Sequence, residues 1–205
     1  VSSLNPTHQS SIVGATVASR FMPTLRLDAI TPMMDIVSAL NQFRPDALVG
    51  YASILRELAQ EQAAGRLLVQ PRAVMSASEV LTDDARATIQ AAFGVWPTNV
   101  YAATETAGIA SECRSGHLHR YEDLVIAEIV DEDNQPVLDG DVGTKLLVTV
   151  LFSRTQPLIR YELSDRVAAG LGSPGDLPYA VLAGIEGREE DILTLIGVSV
   201  HPHVF

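Results

Sequence analysis

Residues 72–103 read RAVMSASEVLTDDARATIQAAFGVWPTNVYAA, and this stretch decides the fold. RAVMSA (72–77) and TNVYA (98–102) are short apolar runs of strand type. Between them Thr82 is placed to cap a helix that runs to Phe93, and Gly94 stops it. Upstream, ALVGY (47–51) reads as another strand. ASILRELAQEQAAG (52–65) reads as a helix with Ile54, Leu55, Leu58 and Ala59 on one face and Gly65 just past its end. Earlier still, TPMMDIVSALNQF (31–43) predicts a helix with Thr31 as N-cap and Pro32 as its first residue. Its apolar stripe is Met33, Ile36, Val37 and Leu40. Strands joined by helix-bearing connections pair in parallel. The expected fold class is therefore α/β, with an open, largely parallel sheet. In such sheets ligands gather at the carboxyl ends of the strands.

After Gly108 the texture changes. LVIAEIVDEDNQPVLDGDVGTKLLVTVLF (124–152) alternates strand-type runs with the turn pairs Asp133-Asn134 and Asp139-Gly140. PLIRYEL (157–163) and YAVLAGIEG (179–187) follow, with no helical stripe. The expectation is a mostly antiparallel, barrel-like or curled β subdomain. The domain boundaries read as 1–110 for the α/β part, 111–187 for the β part and 188–205 for a hinge segment.

Composition narrows the function classes. With 205 residues, 47% of them hydrophobic, the chain can bury a sizeable core. A net charge of −11 argues against a nucleic-acid partner, which requires a basic face. No apolar run reaches the roughly 18 residues of a membrane span, so no membrane partner is expected. The single cysteine, Cys113, excludes an internal disulfide and suits a cytoplasmic location. The first residue is Val1, and no secretory pattern follows it. Both ends read as cut from a longer chain.

The chemistry-bearing residues lie in three segments. YAATETAG (101–108) places Thr104, Glu105 and Thr106 side by side at the end of a strand. A hydroxyl there can donate to a phosphate oxygen, and a carboxylate beside it can hold Mg²⁺. The small Ala102 and Ala103 leave room for a ligand to approach the backbone. In LIRYELSD (158–165), Asp165 ends a strand run, as a turn cap or as an acceptor for a ribose diol. In GREED (187–191), Arg188 is a surface charge or a contact to ribose or phosphate.

In this order YAATET, LIRYELSD and GREEDILTLIG resemble the adenylate-forming enzymes, which include acyl-CoA ligases and peptide-synthetase adenylation domains. ECRSGHLHRYED (112–123) and PLIRY (157–161) are similar to the phenylacetate–CoA ligase branch. The resemblance runs from about Gly14 to the end. It implies a ligase that activates a carboxylic acid with ATP to acyl-AMP and then passes it to a thiol, CoA or a carrier. On the same basis Tyr101 flanks the adenine, with Ala102 in place of the family's glycine. Thr104 contacts phosphate, Glu105 binds Mg²⁺, and Asp165 holds the ribose with Arg188 near the same sugar. Ala77, Ser78 and Glu79 match an adenine-facing turn that is glycine-rich in the family. Asp191 is the hinge, and Tyr51, Ala52 and Ser53 line the acyl pocket. The family's phosphate loop and its C-terminal lysine have no counterpart in the chain, so catalysis by this segment alone is not expected. Lys145, its only lysine, falls in a strand run.

Some relatives bind zinc through this cysteine and histidine with a later Cys-x-Cys. Here that place reads Gly172 to Asp176 without cysteine. Cys113 and His119, with His117 and Asp176 as substitutes, make a weak ligand set, and zinc is not expected. His201 and His203 read as incidental. The implied partners are the acid, ATP and the acceptor thiol, and a homodimer stays open. A second reading is a non-catalytic nucleotide-binding or interaction domain descended from such a ligase.

Overall fold

The computed structural model describes residues 1–5, 19–172, 177–188, 193–195 and 198–200. The chain divides into two compact units, Val1–Val100 and Tyr101–Phe205.

The first unit alternates helix and strand: α1 (Met33–Phe43), β1 (Ala47–Gly50), α2 (Ala52–Ala63), β2 (Ala73–Ala77) and α3 (Asp83–Phe93), ending in the first part of β3 (Pro97–Ala103). β2 pairs in parallel with β1, Leu48 opposite Val74, and with β3, Val74 opposite Pro97. The helices close over an apolar core that includes Ile36, Leu40, Leu55, Leu58, Val74 and Ile89.

Local chemistry explains the element ends. The Thr82 side chain accepts from the Ala85 amide at 3.2 Å and starts α3. Gly94, at φ 71°, ends it in the left-handed conformation that glycine adopts without strain. Gly65 plays the same part after α2 at φ 73°. The start of α1 corrects the sequence reading. Pro32, not Thr31, occupies the N-cap position, and no side chain caps this helix. The Pro32 carbonyl instead accepts from Asp35 and Ile36, and the proline ring fixes the entry angle.

The second unit is antiparallel. One group follows the order β4 (Ala107–Glu112), β5 (Leu118–Arg120), β11 (Val181–Arg188), β10 (Asp165–Ala169), β7 (Val142–Gly143). The other is β6 (Val125–Val130), β8 (Lys145–Val150), β9 (Tyr161–Leu163). β12 (Leu193–Leu195) and β13 (Val198–Val200) form a separate pair. The described strands stay in distinct sheets and close no barrel. Ile109, Val125, Leu146, Val148, Val167 and Leu182 belong to one core cluster. In PLIRYEL only Tyr161–Leu163 forms a strand, because Arg160 takes a positive φ of 48° just before it. Asp165 opens β10 rather than ending the preceding strand.

Leu58 is fully enclosed between the helices and the parallel strands. Leu58→Ala is expected to destabilise the first unit by about 2–5 kcal/mol, through lost burial and the cavity left behind. Thr82→Ala is expected to cost about 1 kcal/mol. Urea unfolding followed by circular dichroism at the helical band measures both.

Candidate functional site

The YAATETAG segment is a tight turn between β3 and β4. The Thr106 amide donates to the Ala103 carbonyl at 3.3 Å, which puts Thr104 and Glu105 at the two central, outward positions. Both are exposed, whereas Thr106 turns inward and is 1% exposed. Ala107 follows at φ 61°, a left-handed conformation that an alanine adopts only under constraint. Gly108 is needed for space. A Cβ there would sit 2.8 Å from the Tyr121 ring. The cluster of polar residues after an apolar strand is thus a turn built to present one hydroxyl and one carboxylate.

Two of the chemistry-bearing segments meet in the second unit. Tyr101 is 7% exposed, and its hydroxyl donates to Asp165 Oδ2 at 2.8 Å. Asp165 is itself 7% exposed. Across the β10–β11 ladder Asp165 stands in register with Arg188. Tyr101, Asp165 and Arg188, read from three separate segments, are therefore brought to one place by strand pairing and one hydrogen bond. The burial of Tyr101 and its bond to Asp165 were not legible in the sequence. A strand of period two that alternates Tyr101 and Ala103 inward was the available signal.

In the first unit the structure joins two candidates that the sequence kept apart. The Glu79 carboxylate accepts from the Ser53 amide at 2.8 Å and from the Ser53 hydroxyl at 3.1 Å. Ser53 lies in the first turn of α2, so Glu79 supplies the acceptor that Tyr51, at the N-cap, does not. Ser78 precedes it at φ 69° and directs the chain across the end of β2. Ala77 is half-buried at the end of β2, and Ala102 is half-buried in β3. Ala52 is buried, and the Tyr51 hydroxyl accepts from the Ser3 amide at 3.0 Å.

Cys113 Sγ lies 2.9 Å from Ser115 Oγ, and Ser115 Oγ lies 3.0 Å from His117 Nδ1. His119 Nδ1 bonds the Tyr179 carbonyl at 2.9 Å. Among the described residues no group of three or more Cys, His, Asp and Glu side chains is gathered as a metal site. Asp176, Asp191, His201 and His203 lie outside the described residues. A cavity of about 400 Å³ in the second unit, lined by Arg120, Glu122, Ile129, Asp139, Ala169 and Val181 among others, contains none of the residues to which the sequence assigned a nucleotide, substrate or metal contact. No described helix is long and apolar enough to cross a membrane.

No family model matches the chain. It is 29% identical over 180 residues to the phenylacetate–coenzyme A ligase of Thermus thermophilus, which covers 81% of this chain and 39% of that protein. It is 31% identical over 175 residues to protein CapK of Staphylococcus aureus, covering 80% of this chain and 37% of that protein. Its fold matches 2-hydroxyisobutyryl-CoA ligase, solved in complex with an acyl-AMP, at a TM-score of 0.70 and 20% identity, over 85% of this chain and 40% of that one. These likenesses point to one class: the chain is similar in sequence to phenylacetate–CoA ligases and similar in fold to an acid–CoA ligase. Within that class its relatives include several phenylacetate–CoA ligases. The chain spans about two-fifths of the length of these relatives.

Removing the Tyr101 hydroxyl takes a donor from a buried carboxylate. Tyr101→Phe is expected to lower the stability of the second unit by on the order of 1–3 kcal/mol. Urea unfolding read by tyrosine fluorescence and near-ultraviolet dichroism checks this.

Proposed function

We propose that the protein to which this chain belongs activates a carboxylic acid with ATP, forming acyl-AMP and pyrophosphate, and transfers the acyl group to a thiol, that of CoA. The observation that carries this reading is the junction of Tyr101 and Asp165, with Arg188 in register, in a chain related to phenylacetate–CoA ligases.

In this reading Asp165 accepts hydrogen bonds from the ribose hydroxyls. Tyr101 holds one of its oxygens, so the carboxylate is oriented before the nucleotide arrives. Thr104, exposed at the turn, donates to the phosphate of the adenylate. Glu105 offers a solvated carboxylate, the oxygen donor that a hard cation takes, and Mg²⁺ held beside it supplies neutralisation of phosphate charge. Ala77, Ser78 and Glu79 border the adenine side, and Tyr51 to Ser53 border the acyl pocket. Asp191 is the hinge in this reading, within a segment 188–205 that follows an α/β part, 1–110, and a β part, 111–187. The substrates ATP and CoA, and the lone cysteine, support a cytoplasmic location.

The test is acid-dependent ATP–pyrophosphate exchange by the full-length protein, alongside calorimetric titration of AMP into this chain. Exchange that requires a carboxylic acid is expected, and AMP binding is expected to be lost in Asp165→Ala. AMP binding without exchange would instead identify a nucleotide-binding domain with no ligase activity. Finding neither exchange nor AMP binding would overturn the proposal altogether.

Glu105→Gln keeps size and hydrogen bonding while removing the charge. In the full-length protein it is expected to slow exchange by on the order of a hundredfold or more. The melting temperature is expected to stay nearly constant, because Glu105 is exposed. Exchange and thermal unfolding, measured on the same variant, separate a metal-binding carboxylate from a turn residue, for which the reverse pattern holds.

A further inference from the structure

Gly108 and Tyr121 meet at the foot of the turn that carries Thr104 and Glu105. A Cβ on residue 108 would lie 2.8 Å from Tyr121 Cε2 and 3.2 Å from Cδ2, so the ring edge fills the space that a side chain would take. The ring has a firm anchor. The β4–β5 hairpin, with Ala110 opposite Arg120, folds Tyr121 back beside the first residues of β4. There its amide donates to the Ile109 carbonyl at 2.8 Å, and its own carbonyl accepts from the Leu124 and Val125 amides, each at 2.9 Å. The half-buried residue whose ring bears on Gly108 is thus held through both its backbone groups.

The turn needs such a support. Ala107 links it to Gly108 at φ 61°, a conformation that a residue with a Cβ keeps only where its surroundings enforce it. On one side Thr106 does so. It is buried, its amide donates to the Ala103 carbonyl at 3.3 Å, and its hydroxyl donates to the Ala107 carbonyl at 3.3 Å. On the other side Gly108 rests on the Tyr121 ring. Thr104 and Glu105 are exposed, so the backbone beneath them sets their direction.

We propose that Tyr121 is a positioning residue for the ligase reaction. Its ring, braced on Gly108, holds the β3–β4 turn in the arrangement that presents Thr104 and Glu105 together to a phosphate and its cation. The inference rests on the nucleotide role given to those two residues under the proposed function. Ring carbons make the contact, so phenylalanine serves in place of tyrosine and alanine does not.

Two measurements on the full-length protein test this. Amide hydrogen exchange, read by mass on peptides spanning residues 102–108, reports the turn independently of any activity. ATP–pyrophosphate exchange, titrated with Mg²⁺, reports the reaction. Tyr121→Ala is expected to speed hydrogen exchange in the turn by about tenfold or more. It is also expected to slow pyrophosphate exchange by on the order of tenfold to a hundredfold and to raise the Mg²⁺ concentration at half-saturation. The KM for the acid is expected to stay within about twofold. Tyr121→Phe is expected to restore all of these. Loss of folded protein alone lowers the rate without moving the Mg²⁺ half-saturation. Gly108→Ala, whose new methyl group presses on the ring, carries the same test should Tyr121→Ala fail to fold. Unchanged hydrogen exchange in the turn, an unmoved Mg²⁺ half-saturation, or a phenylalanine variant as impaired as the alanine one would overturn this proposal alone. No acid-dependent pyrophosphate exchange by the unsubstituted protein would overturn the ligase reading, and this proposal with it.

Discussion

A carboxylate withdrawn from water must find donors, and Asp165 finds one in the phenol of Tyr101. That bond fixes the start of β10 relative to the end of β3 within the second unit. The turn carrying Thr104 and Glu105 begins two residues after Ala102, so its take-off point is set by the same strand. The register of β10 with β11 then decides where Arg188 stands. One buried bond between residues 64 apart in sequence thus positions the parts read as a nucleotide site. It also explains why a tyrosine, with both an apolar ring and a polar tip, suits this position.

The alternation of strands and helices was legible because each end carries a local signal. Thr82 caps α3, Gly94 and Gly65 leave helices in a conformation that favours glycine, and the apolar stripes have the helical period. What failed was equally local. Thr31 looks like an N-cap, but Pro32 restricts the residue before it and takes the position itself. In PLIRYEL the apolar pattern suggested a longer strand, and the positive φ of Arg160 cut it to three residues.

The candidate site was legible as a set of segments, not as an arrangement. Pattern alone could put Tyr101 and Asp165 on strands. It could not show that one bonds the other, because tertiary hydrogen bonds leave no periodic trace in sequence. The same holds for Ser53 and Glu79, and for the chain of contacts from Cys113 through Ser115 to His117. The relatives it matches are some two and a half times longer, and the matched residues correspond to one portion of their length.

The bond between Glu79 and the first turn of α2 sets up a competition. While the carboxylate satisfies the Ser53 amide and hydroxyl, it is less available to anything else. A ligand that draws Glu79 away releases two donors at the head of a helix, and the affinity it shows is reduced by that loss. An anion arriving at the Ser53 amide displaces the same carboxylate and sets it free. Thermodynamic reciprocity requires that whatever binds at one of these places alters binding at the other by an equal factor. A single side chain makes the loop after β2 and the head of α2 two ends of one balance.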